Sequence, residues 1–173
     1  MESSGDVLML TPTESVTIVE SSPDRLLVEA MYGPGGEPPP KHFHPQQSER
    51  FEVTSGTLRF RVDGDDRTVA AGGEIEIPIG AVHQVWNPHS HDATVVWETA
   101  PAGRTEEWFR AVDAANRRAG AGKRAGLLDF APLLSEYRDT FRLAGPDLVL
   151  APVLAGLGLV GRLLGRGSKQ AAG

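Results

Sequence analysis

Two windows decide the reading of this chain. Residues 36–56 run Gly36-Glu37-Pro38-Pro39-Pro40-Lys41-His42-Phe43-His44-Pro45-Gln46-Gln47-Ser48-Glu49-Arg50-Phe51-Glu52-Val53-Thr54-Ser55-Gly56. Residues 72–87 run Gly72-Gly73-Glu74-Ile75-Glu76-Ile77-Pro78-Ile79-Gly80-Ala81-Val82-His83-Gln84-Val85-Trp86-Asn87. His42 and His44 are two residues apart, so on a strand they face the same side and their ring nitrogens can converge. If Glu49 points inward, Phe51 and Val53 share its face while Arg50 and Glu52 face water, which is the alternation of a half-buried strand. A carboxylate turned into an apolar interior is costly unless something offsets its desolvation, and a divalent cation does so. His83 shares a face with Val85 and supplies a fourth donor from another strand. Three imidazoles and one carboxylate suit a transition metal rather than calcium.

Outward from these windows, residues 7–100 alternate in short β-rich runs. Val16–Val19, Leu26–Ala30, Phe51–Val53, Leu58–Val62, Ile75–Ile77, Val82–Trp86 and Thr94–Trp97 read as strands. Val62-Asp63-Gly64-Asp65-Asp66 reads as a hairpin turn. Glycines and prolines cluster between the runs, at residues 33–40, 72–73 and 78–80. Many short strands without intervening helices predict an antiparallel sandwich or barrel.

After Pro101 the period becomes helical. Thr105 is expected to cap a helix with Glu106 and Glu107 in its first turn and Gly120 as its stop. A second helix is expected from about Pro132, burying Leu134, Tyr137 and Phe141 and ending at Gly145-Pro146. A third segment, residues 148–164, is shorter than the roughly 20 apolar residues of a membrane span. Its Leu150, Leu154, Leu157, Gly161 and Leu164 form one stripe, expected to bury against the barrel or a second subunit; contact with a membrane surface is the alternative. The resulting division is a mainly β barrel domain over residues 1–102, a helical extension over 103–166 and a disordered tail over 167–173.

The two windows resemble the paired motifs of the cupin superfamily. The first motif is a Gly, His-x-His, Glu and a closing Gly, matched by Gly36, His42, His44, Glu49 and Gly56. The second is a Gly, Pro-x-Gly, His and Asn, matched by Gly72, Pro78, Gly80, His83 and Asn87. The resemblance implies a jelly-roll β-barrel holding one divalent transition metal (Fe, Mn, Ni, Cu or Zn) on His42, His44, Glu49 and His83, with Asn87 structural. It leaves three functions open: an oxygenase of the quercetinase-like kind on a small organic substrate, a redox-neutral isomerase or polyketide cyclase, and a non-catalytic binding barrel. In an enzyme Glu49 doubles as ligand and general base, and Phe51 and Val85 are the candidate walls of a substrate pocket. A second His-x-His, His89 and His91, reads as an exposed loop.

The bulk properties narrow the partners. With 173 residues there is room for one domain with a core. A formal net charge of −6 disfavours nucleic acid. The absence of cysteine rules out disulfides, thiolate metal sites and cysteine nucleophiles. The first residues carry acidic groups and no basic run before an apolar stretch, so no signal peptide is expected and a cytoplasmic location is. A small-molecule substrate and a homodimer using helix 148–164 complete the expectations.

Overall fold

The computed structural model of the chain describes residues 5–120, 123–145 and 147–165, with backbone alone for 147–154. Ten strands come first: β1 (Val7–Thr11), β2 (Glu14–Ser21), β3 (Leu26–Tyr32), β4 (His42–Phe43), β5 (Ser48–Ser55), β6 (Thr57–Val62), β7 (Asp65–Ala70), β8 (Glu74–Ile77), β9 (His83–Trp86) and β10 (Ala93–Ala100). Then follow α1 (Thr105–Ala119), α2 (Leu127–Glu136), the short strand β11 (Arg142–Leu143) and α3 (Asp147–Leu163). Two antiparallel sheets face each other, ordered β1-β2-β3-β10-β5-β8 and β11-β4-β9-β6-β7. Every strand window read from the sequence falls on one of these strands, with Val82 alone preceding its strand, β9.

Alternation fixes which side is core. In β3, Leu26, Val28, Ala30 and Tyr32 are buried while Glu29 and Met31 are exposed. In β5, Phe51 and Val53 are buried beside Glu49. Register brings these residues together: Trp97 stands opposite Phe51 and Val28, and Phe60 opposite Val85. Strand β9 departs from simple alternation, being buried on both faces. Its inward face carries His83 and Val85; the outward Trp86 lies under the guanidinium groups of Arg59 and Arg61, 5.9 and 5.8 Å from the ring centre.

The turn chemistry is as expected at the β6–β7 hairpin, where Asp63 and Gly64 take φ of 51° and 95°. Gly56 is more constrained. Its φ is +73°, and a Cβ there would sit 2.5 Å from the Asp92 carbonyl and 2.8 Å from Ala93 Cα.

The free edge of β1 is covered by α1 through side chains rather than by another strand. Asp113 accepts from the Met9 amide at 2.9 Å, and Asn116 donates to the Met9 and Leu10 carbonyls at 3.0 Å. Asn116 also accepts from the Ala125 amide, tying the segment that leads into α2 to the same point.

Several expectations for the helices are corrected. Thr105 is not the cap of α1: Arg104 occupies that position, and the Thr105 hydroxyl is buried one residue inside the helix without a partner. Gly120 does end α1. Helix α2 begins five residues before Pro132, at Leu127, because Asp129 accepts from the Gly126 amide and secures an earlier first turn. Pro132 is thus inside the helix, where it leaves the Leu128 carbonyl without its amide. Helix α2 ends at Glu136 with Tyr137 as its C-cap, so Phe141 lies outside it and Gly145 does not stop it; Pro146 falls outside the described residues.

Helix α3 rests on α2 rather than on the barrel. Gly161 faces the Pro132 irregularity, where a Cβ would come within 2.5 Å of the Leu128 carbonyl. Of the expected stripe, Gly161 is buried and Leu157 half-buried, but Leu164 is exposed; the side chains of Leu150 and Leu154 fall outside those described. Leu159, Val160 and Leu163 are exposed as well. No helix among the described residues is long and apolar enough to cross a membrane. The expected tail, 167–173, also lies outside the described residues.

The two glycines give a graded test of the barrel. Gly64→Ala meets open space and should cost about 1–2 kcal/mol for its positive φ alone. Gly56→Ala adds a clash with backbone and should cost about 3 kcal/mol or more in urea unfolding. Equal costs would mean that the β5–β6 corner opens freely, contrary to its tight fit.

Candidate metal centre and its cavity

The three histidines arrive from two directions. His42 and His83 are directly opposite each other in the β4–β9 pair. His44 lies one residue beyond the two-residue strand β4, so it is loop backbone and not strand that sets its direction. Their ligating nitrogens all lie within 4.8 Å of one another, and the three could hold a metal ion. Glu49, 3% exposed, enters from β5 in the facing sheet. Its Oε1 is 3.3 Å from His44 Nε2, and its Oε2 is 2.9 Å from His83 Nε2. The structure thus brings together all four residues singled out from the sequence.

Backbone carbonyls orient all three rings. His42 Nδ1 meets the Pro40 carbonyl at 2.9 Å, His83 Nδ1 the Ala81 carbonyl at 3.0 Å, and His44 Nδ1 the Thr140 carbonyl at 2.6 Å. A carbonyl only accepts, so each Nδ1 carries a proton and each ring turns its Nε2 inward. This is the outer-shell arrangement of metal-binding histidines.

The electrostatics follow from that packing. Burial opposes charge on His42, and the neighbouring His83 and His44 add to the effect, pushing it down to about 3. Burial alone would raise Glu49, but His44, His83 and His42 outweigh it and hold the carboxyl at about 2. For His83, burial works against the charged form, yet the Glu49 contact prevails and raises it above the ordinary value. Glu49 Oε2 is buried with no N–H aligned to it. Bare imidazole nitrogens facing an ionised carboxylate set lone pairs against negative charge. A proton or a cation between them removes the conflict, and the donor set fits a divalent transition metal.

Around these four residues lies a cavity of about 340 Å³. Phe51 and Val85 line it, as do Trp97, Trp108, Phe109 and Phe141. Trp97 does more than pack: its Nε1 donates to Glu49 Oε1 at 3.1 Å, and its ring stacks on Phe51. The helical extension closes the cavity. Strand β11 pairs with β4, Leu143 opposite His42, and this holds Phe141 in a stack on the His42 ring at 4.6 Å between centres. Trp108 of α1 stacks in turn on Phe141.

A second carboxyl lines the same cavity. Glu14 on β2 stands opposite Tyr32 on β3, whose hydroxyl donates to it. Burial drives Glu14 up to about 7, against the lowering effects of the Tyr32 hydrogen bond and the Arg124 charge. Tyr32 is raised well above its ordinary value by burial, then by the Glu14 charge.

Sequence reading missed Glu14, Tyr32, the Trp97 donor and the Thr140 carbonyl. A signal existed for two of them: Glu14 shares a strand face with core residue Val16, and Trp97 with Val95. No sequence signal marks a backbone carbonyl 96 residues from His44. Elsewhere the readings agree with the structure. Asn87 is structural, donating to the Tyr32 and His91 carbonyls and accepting from the His89 amide. His89 and His91 are exposed in a loop.

The comparisons place this architecture. Residues 28–98 match the family model described as Cupin domain. These residues form a cupin domain. Among solved structures it resembles an RmlC-like cupin from Shewanella frigidimarina, with a TM-score of 0.55 and 17% identity over 61% of this chain and 92% of that one. It also resembles KdgF from Halomonas sp., with a TM-score of 0.53 and 20% identity over 58% of this chain and 92% of that one. At these identities the likeness is one of fold. Among curated proteins, the probable oxidoreductase patJ of Penicillium expansum is 35% identical over 100 residues, 56% of this chain and 30% of that protein. Its counterpart in Aspergillus clavatus is 37% identical over 78 residues, 44% of this chain and 24% of that one. The chain thus spans about a quarter to a third of the length of these two relatives.

The Glu14 environment predicts a pH signature in stability. Its folded pKa, about 7, lies above the ordinary value of 4.5. Between these values the folded state keeps a proton that the unfolded chain has lost, so this group's contribution falls as pH rises from about 4.5 to 7. Glu14→Gln should match the wild type near pH 4 and exceed it above pH 7, by on the order of 1–3 kcal/mol, lowered by the solvent contact Glu14 retains. Thermal melts across that range check it; parallel pH profiles would place the Glu14 carboxyl in water.

Proposed function

We propose that this cupin is a metal-dependent oxidoreductase of the oxygenase kind, acting on a small, largely apolar organic substrate inside the barrel. One observation carries the reading. Three imidazoles oriented by backbone carbonyls meet a buried carboxylate at the wall of an aromatic-lined cavity. The naming of the patJ relatives as oxidoreductases supports it further.

His42, His44 and His83 would hold the metal through Nε2 and Glu49 through its carboxylate. A redox-active metal bound there supplies electron transfer between substrate and dioxygen. The chain's own residues do the rest. Phe51, Trp97, Phe109 and Phe141 exclude water and take up an unsaturated ring by stacking. Phe141 fixes the outer face of His42, while Trp97 holds Glu49 Oε1 and leaves Oε2 free of an aligned donor. Oε2 is therefore the Glu49 oxygen available to hold or move a substrate proton.

Metal analysis by mass spectrometry on protein purified without added metal is the test. Roughly one redox-active metal per chain is expected, lost in the His42→Ala/His44→Ala double variant, with oxygen uptake on phenolic or enolic substrates. Trp97→Phe keeps the ring but removes the donor to Glu49, and should weaken metal affinity about 10-fold or more. Zinc at the same stoichiometry without oxygen uptake would turn the reading to redox-neutral isomerase or cyclase chemistry. Failure to bind iron, manganese, nickel, copper or zinc on reconstitution would overturn a metal-dependent function.

A further inference from the structure

The histidine centre leaves one ionisable group of the cavity unused. Glu14 has no hydrogen bond or ion pair to His42, His44 or His83 among the described residues. Its partners are the Tyr32 hydroxyl, which fixes the carboxyl, and the Arg124 charge, which reaches it from the segment between α1 and α2. Glu49 is the remaining charge felt at this position. Glu14 is therefore a carboxyl on the wall of a largely apolar cavity with one fixed donor, one cation nearby and no salt-bridge partner in contact.

A carboxyl kept only for structure would gain from full burial in hydrogen bonds or from exposure to water, and Glu14 has neither. The walls around it suit a flat unsaturated ring: Phe51 and Trp97 from the barrel, Trp108 and Phe109 from α1. A ring in this cavity that carries a hydroxyl would meet an acceptor at Glu14, with Arg124 nearby to favour negative charge.

We propose that Glu14 is the acid–base residue that takes the hydroxyl proton of a phenolic or enolic substrate, with Tyr32 as its positioning residue. This rests on the reading of the cavity as a substrate site and deepens it by naming the substrate class. In the step, the substrate O–H bond breaks and an O–H bond forms on the Glu14 carboxylate. The substrate keeps the electron pair as an oxyanion, and Glu14 becomes a neutral acid. Charge is conserved within the cavity, so no ion is added to the apolar interior. The pKa of Glu14, about 7, sits where a base is partly free near neutrality and close in strength to an activated phenol or enol.

The experiment uses the full chain stripped of metal by a chelator, with 4-nitrophenol as probe, because its anion is coloured and its neutral form is not. In the wild type the bound probe should show the anion colour at a pH about one unit or more below that at which it appears in Glu14→Gln. Tyr32→Phe removes a donor that lowers the Glu14 pKa, so Glu14 holds the proton more firmly and colour should develop at the same or a lower pH than in the wild type. Glu14→Asp, which keeps a carboxyl but withdraws it from the cavity, should bind the probe with reduced anion yield. Circular dichroism on each variant confirms the fold, and the stability expected of Glu14→Gln makes it the reference. Three outcomes overturn the proposal: the probe does not bind, it binds only as the neutral phenol, or its onset is the same in wild type and Glu14→Gln. Because the probe is read without metal, these outcomes leave the metal centre standing. A Glu14-dependent onset in a chain that takes up no metal would uphold this inference while the metal reading fails.

Discussion

The constraint on which the structure depends is a carboxylate that has been taken out of water. Glu49 is 3% exposed and sits between two imidazoles, with Trp97 as its one aligned donor. An ion in that position is tolerated only where fixed groups of opposite polarity meet it. The β5–β10 and β5–β8 registers set its position, placing Glu49 opposite Thr99 and Ile77. The β4–β9 pair sets the position of His42 and His83. The two sheets therefore cannot slide without separating the donors: a one-residue slip in β5 would send Glu49 to solvent and bring Arg50 or Glu52 inside.

The helical third belongs to this same constraint. The Thr140 carbonyl fixes the His44 tautomer, and Phe141 covers His42. Both lie in the segment between α2 and β11, held by the β11–β4 pairing and by the stack of Phe141 on Trp108. The barrel supplies the donors, and the extension supplies the cover and one of the three carbonyls that orient them. Helix α3 acts one layer further out, seated through Gly161 on the irregularity that Pro132 makes in α2.

Much of this was legible in the sequence, and for identifiable reasons. Period-two alternation located the strands, since a half-buried sheet leaves that mark on every residue. The four clustered donors were legible because an inward Glu49 had no other account among its apolar neighbours. Helix boundaries were less legible. Thr105 and Pro132 carry strong local preferences for helix starts, but burial of the Thr105 hydroxyl and the Asp129 interaction with the Gly126 amide overrode them. Phe141 looked like a helical core position because its spacing from Tyr137 and Leu134 is helical. In the structure α2 stops at Glu136, and Phe141 contacts His42 through a pairing with β4 that no local pattern contains.

The two carboxyls of the cavity show what the fold adds beyond placing residues. Glu14 and Glu49 begin with the same chemistry and end on opposite sides of the ordinary carboxyl value, at about 7 and about 2. Burial raises each of them. What separates them is the company they keep: three imidazoles around Glu49, against one phenolic hydroxyl and the Arg124 charge at Glu14. Near neutral pH one stays ionised and suits a cation, while the other exchanges a proton readily and suits a base. The two carboxyls reach the cavity from strands β2 and β5 of one sheet, with β3 and β10 between them, so a single wall carries two carboxyls of opposite tendency.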